Sequence, residues 1–209
     1  MASAALVITE AMSNSGHPGG AANGDWWELT NTGATSVDLT GYIWNDSADP
    51  TSDESIFPAV SIGAGESIVI VSEGASNLAG FIAAWGGGFT AISDDDFGGG
   101  NSFSGLGSGG DSIFLYTPAE VLVDSFTFGA STNGVSFERF TNGDANGLSV
   151  AGEFGAFVAI NDGENDDPPG LGPGSDVGSP GIAVVPEPTA ALATLTGLLA
   201  VAGYSRRRQ

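Results

Sequence analysis

Asp25-Trp-Trp-Glu-Leu-Thr-Asn31, closed by Thr32-Gly33, is the most informative stretch of the chain. In an extended strand successive side chains alternate between faces, so Trp27 and Leu29 share one side and Trp26, Glu28 and Thr30 the other. Asn31-Thr-Gly33 then forms a tight turn, in which glycine is free to take positive φ.

The same period-two patterning extends in both directions, broken by Gly, Asn, Asp and Ser. It predicts strands over 6–11, 25–31, 36–39, 41–44, 55–57, 67–72, 111–116, 121–128 and 136–139. Ser67-Ile-Val-Ile-Val-Ser72 and Asp111-Ser-Ile-Phe-Leu-Tyr116 read as central, largely buried strands. Residues 77–85 are the one helical stretch expected before the C-terminus, and no long helix is available as a crossover. The 34 glycines and 10 prolines follow no collagen period and mark many turns. With 209 residues, 41% of them hydrophobic, the chain can bury a genuine core. An all-β sandwich or barrel is the expected class. The expected organisation is a body over 6–160, a flexible acidic Gly/Pro-rich end or linker over 161–184, and a distinct segment over 185–209. Residues 98–110 are expected to form a flexible loop. No 20–50-residue repeat appears. Ala2-Ser3-Ala4 has the small-x-small form of a signal cleavage site, so residues 1–5 read as the remnant of a signal-peptide region.

Charge limits the partners. There are 25 acidic residues against four basic, no lysine, and a net charge of −21. Arg139 is the only basic residue before the terminal arginines, so nucleic acid, which needs clustered cations, is a poor partner. Such a surface attracts cations. Asp46, Asp49 and Asp53 in one loop, Asp94, Asp95 and Asp96 in another, and 162–167 read either as solvated acid or as calcium sites. None has EF-hand spacing. Glu10 and Glu28, inside apolar strands, either face water or take part in cross-strand hydrogen bonding or cation binding.

Ordinary catalytic sets are missing. His17 is the only imidazole, placed in a Gly/Asn loop, and there is no cysteine. A zinc site would need carboxylates for most of its ligands. Gly105-Leu-Gly-Ser-Gly-Gly110 matches G-x-G-x-x-G, but a Gly/Ser stretch precedes it and a strand follows, the reverse of the dinucleotide context. No catalytic residue is assigned and no cofactor is required. Carboxylate pairs leave a hydrolase as the minor alternative. Trp26, Trp44, Trp85 and Tyr42 fill a sandwich core or, less simply, form a platform for sugar rings.

Val185-Pro-Glu-Pro-Thr189 leads into an apolar run over 190–204, carried by Ala190, Leu192, Leu195, Leu198, Leu199, Val201 and Tyr204. As a helix it reaches about 22 Å at 1.5 Å per residue, short of the roughly 30 Å hydrocarbon layer. Tyr204 at the boundary and Arg206, Arg207 and Arg208 beyond it fit an interfacial aromatic and a cytoplasmic anchor. This tail resembles the PEP-CTERM sorting signal of Gram-negative bacteria. The resemblance implies recognition of Pro186, Glu187 and Pro188 by an exosortase-type membrane processing enzyme. It also implies transient anchoring in the inner membrane, then delivery to the cell surface or to an exopolysaccharide-containing matrix.

The body resembles the lamin-tail domain, an immunoglobulin-like β-sandwich. The resemblance rests on Leu6-Val-Ile-Thr-Glu10, Gly24-Asp-Trp-Trp-Glu-Leu-Thr-Asn-Thr-Gly33, Val37-Asp-Leu-Thr-Gly-Tyr42, Ile62-Gly-Ala-Gly-Glu-Ser-Ile-Val-Ile-Val71, Gly110-Asp-Ser-Ile-Phe-Leu115, Val123-Asp-Ser125 and Gly178-Ser-Pro-Gly181. Together the pieces imply an exported, non-catalytic surface or matrix protein with a structural or adhesive role. The alternatives are a calcium- or polysaccharide-binding module and, last, the hydrolase.

Overall fold

A computed structural model describes residues 6–15, 24–52, 55–72, 74–99, 105–160 and 176–183. In chain order the elements begin with β1 (Leu6–Met12), β2 (Trp26–Asn31), β3 (Val37–Asp38), β4 (Ile43–Asn45) and β5 (Ser55–Ile56). β6 (Ser61–Ile62), β7 (Ser67–Val71), α1 (Leu78–Ala84), β8 (Thr90–Ser93), β9 (Asp111–Tyr116) and β10 (Leu122–Phe128) follow. β11 (Phe137–Arg139), β12 (Ala145–Leu148), β13 (Phe157–Val158) and β14 (Val177–Gly178) complete the order.

Two sheets form the body. The larger runs β12-β11-β1-β2-β7-β8 and the smaller β10-β9-β4-β5, with β13–β14 and β3–β6 as two-stranded ladders. Pairing is antiparallel except between β7 and β8, which are parallel and joined through α1. A seven-residue helix therefore suffices as the crossover, where a long one is the expectation.

Alternation on β2 divides the interior into two layers. Trp27 and Leu29 face the smaller sheet and join Ile8, Ile68, Ile70, Ile113 and Leu115 in the main core. Trp26, on the other face, packs with Met12, Val69 and Val71 under Phe81, Ala84 and Trp85 of α1. Both faces of the larger sheet are thus covered, and every residue of β2 is buried. Trp26, Trp44 and Trp85 are core residues, and Tyr42 packs against the main core half-buried.

Arg139 stitches the sheets together. From β11 its Nη1 donates to Asp124 Oδ2 on β10 at 2.8 Å, to Ser125 O at 3.1 Å and to Ile8 O at 3.4 Å. Asp124 Oδ2 also accepts the Ile8 N–H at 2.8 Å. This is the one ion pair among the described residues.

Candidate functional site: a buried carboxylate row under a strap

β1 does not pair evenly with β2. Ile8 lies opposite Leu29, and Glu10 lies opposite Glu28, so Thr9 is the extra residue of a β-bulge. The bulge lets Thr9 share the outer face with Glu10, where its hydroxyl donates to Glu28 Oε1 at 2.6 Å. On the other side of β1, Glu10 is the register partner of Glu138 on β11. Glu138, Glu10 and Glu28 therefore form one cross-strand row, 1%, 1% and 0% exposed. The outward-facing alternative for Glu10 and Glu28 is overturned, because later chain covers that face. Cross-strand hydrogen bonding holds instead.

The cover is the strap 176–183, whose β14 pairs with β13. Ser179 meets Glu10 twice: its N–H donates to Oε1 at 2.8 Å and its hydroxyl to Oε2 at 2.7 Å. Gly181 N–H donates to Glu28 Oε2 at 2.5 Å. From the other flank, Ser136 donates its hydroxyl to Glu10 Oε1 at 2.5 Å. Glu138 accepts from Ser149 at 2.9 Å and from the Asn146 amide at 2.7 Å. Gly178-Ser-Pro-Gly181 has a physical reason at three positions. A Cβ on Gly178 would stand 2.8 Å from Glu10 Oε1 and 3.1 Å from Trp26, and one on Gly181, at φ +83°, would run into Phe89. Ser179 supplies the two donors between them.

Like charges directly opposite on adjacent strands destabilise a sheet, and buried charge without a cation costs still more. Burial first, then the Glu28 charge, push Glu10 up to about 8. Burial pushes Glu28 up to about 7 against hydrogen bonds from Thr9, Gly181, Ser67 and Thr30. Glu138 is raised too, by burial and then Glu153. Glu10 and Glu28 are thereby brought to titrate around neutral pH, and Glu138 is shifted in the same direction.

A second buried acid does similar work at the end of β2. Asp25 accepts the Leu106 N–H at 2.7 Å, tying the Gly105–Gly110 turn to the sandwich, and burial raises it to about 7. The strand β9 follows that turn directly, as its sequence context required.

The acidic loops are arranged differently. Asp46 and Asp49 are exposed, and Asp49 Oδ1 accepts the N–H and hydroxyl of Thr51 at 3.0 and 2.8 Å. Asp94–Asp96 is a turn of 3-10 helix closed by a capping box between Ser93 and Asp96, and Asp95 accepts the Ala75 N–H at 2.8 Å. Among the described residues no three His, Cys, Asp or Glu side chains come together to hold a metal ion. Asp53, His17, residues 162–167 and the whole tail, with Pro186, Glu187, Pro188, the 190–204 run and Arg206–Arg208, lie outside the described residues. No helix among the described residues is long and apolar enough to cross a membrane.

Sequence reading passed over Glu138, Asp25 and the serines 136, 149 and 179. The available signal was a third acid, Glu138, inside a predicted strand.

Two sheets packed face to face, with antiparallel pairing and one short parallel crossover, define an immunoglobulin-like β-sandwich. A family model for the lamin tail domain matches residues 1–130, and the chain belongs to that family. No curated protein matches the chain.

Proposed function

We propose that the chain is an exported, non-catalytic surface or matrix protein, in which the lamin tail domain is a rigid scaffold and 185–209 is a sorting tail. The observation that carries the non-catalytic reading is the use of the buried acids. Both oxygens of Glu10, Glu28 and Glu138 accept hydrogen bonds from strands or strap, so the row works as a fastener. A cleft of about 220 Å³ between Gly65–Ser67, Gly88–Thr90 and Gly181 holds one acid, Glu66, whose Oε2 turns back onto the Gly63 N–H at 3.0 Å. Among the described residues no histidine or cysteine lines it. Export is supported by the order Pro-Glu-Pro, apolar run, arginine cluster in the sequence. The partners are then an exosortase-type processing enzyme, the inner membrane before processing, and matrix polysaccharide afterwards.

The test is fractionation of the full chain and of a chain ending at Val184, in cells with and without a working sorting enzyme. The full chain should leave the membrane fraction for the surface or medium only when the enzyme is present, shortened near Pro186–Pro188. Identical distribution of the two chains in both strains would refute the addressing role.

A further inference from the structure

The last three hydrogen bonds that hold the strap all end on carboxylates of one row. Ser179 is held twice by Glu10, and Gly181 once by Glu28. Upstream, the strap is held by neutral backbone pairing, Val177 N–H to Gly134 O at 2.7 Å and Ser136 N–H to Val177 O at 3.1 Å. The part from Ser179 onward is therefore bonded to the carboxylate row, whereas the part before it is held by that pairing and by Asp176, which accepts from Ser15.

Among the described residues no cation faces the row. Arg139 alternates to the opposite face of β11 and pairs with Asp124. β12 presents the Asn146 amide, β7 the Ser67 hydroxyl through Thr30, and β1 the Thr9 hydroxyl. α1 and β8 carry no titratable side chain, and the strap's own Asp176 accepts from Ser15 at 2.7 Å. Among the described residues the one further charge acting on the row is Glu153, on Glu138, and it is negative. Full ionisation would place three like charges in register in a dry layer. The simplest relief is to lift Ser179–Gly181 and admit water to Glu10 and Glu28.

We propose that the strap is a proton-operated latch, docked while the Glu138–Glu10–Glu28 row retains protons and lifted from Ser179 onward when the row ionises in alkaline solution. The raised titration of Glu10 and Glu28 agrees with this direction. A group raised in the docked state favours docking at low pH, and that preference is lost as pH climbs through about 7 to 8. The latch is independent of the sorting reading, since every group in it belongs to the sandwich.

Hydrogen exchange of the full chain in detergent, corrected for the intrinsic pH dependence of exchange, tests it. Between about pH 6 and about pH 9, protection over 178–183 should fall at least tenfold while β2 and β7 keep theirs. The double variant E10Q/E28Q keeps neutral acceptors for Ser179 and Gly181, and its strap protection should not change with pH. A wild-type strap equally protected at both ends of the range would overturn the latch, as would an unaltered pH dependence in the double variant. If that variant fails to fold, infrared spectra of the wild type decide. The carbonyl band of protonated carboxyls should persist at neutral pH and vanish in step with strap release; its loss in acid, with the strap still protected, overturns the proposal.

Discussion

Gly178 shows how closely the strap fits the sheet. Its backbone lies against Glu10, Ser136 and Trp26, and a methyl group there would meet all three within 3.1 Å. Ser136 and Glu10 are already fixed to one another, so neither is free to retreat. Gly178→Ala should cost about 2 kcal/mol through overpacking, read as a lower urea midpoint with an unchanged m-value. The residue's ordinary φ means that space, not backbone strain, sets this cost.

At the scale of elements, β1 and β11 of the larger sheet and β10 of the smaller meet at Arg139. Its side chain and that of Asp124 are 14% and 17% exposed, and its guanidinium also lies 5.6 Å from the Phe126 ring centroid. Arg139→Ala leaves Asp124 uncompensated between the sheets. The expected loss is about 3 kcal/mol, measured by denaturant unfolding, with Arg139→Lys recovering part of it. The same scale shows what the sequence made legible. β1, β2, β7, β9 and β10 carry alternation or apolar runs long enough to be read directly, and α1 appears within one residue at each end of its expected bounds. β6, β8, β12, β13 and β14 do not. Ala145-Asn-Gly-Leu148 has no strand propensity of its own and is extended because β11 offers it a pairing edge. The carboxylate row was half legible. Glu10 and Glu28 stood out inside apolar strands, but their burial depends on residues 176–183, far along the chain, which no local pattern connects to them. Glu138 lay in a predicted strand, yet its alignment with Glu10 is a property of strand order rather than of sequence.

The whole molecule combines a net charge of −21 with buried acids that bind protons more tightly folded than unfolded. Both facts act in one direction. For Glu10, Glu28 and Asp25 the native titration is raised, so their contribution is present in mild acid and fades as pH rises through about 7 to 8. Self-repulsion of the acidic surface, ionised already in mild acid, adds a steady penalty over the same interval. The melting temperature should fall by about 5 °C or more between pH 6 and pH 9. Raising sodium chloride from about 0.1 M to about 1 M, which shortens the screening length from roughly 10 Å to roughly 3 Å, should restore part of it through the surface term alone.

The order of the larger sheet has a consequence for any shortened chain. β1 is an interior strand, bordered by β2 on one side and by β11 on the other, and β11 begins only at Phe137. A polypeptide halted at residue 130, where the family match stops, would present the far border of β1 as a bare row of amide and carbonyl groups, with Glu10 open to water. Such borders recruit strands from neighbouring molecules. The stretch after 130 thus protects β1 from pairing with its own kind.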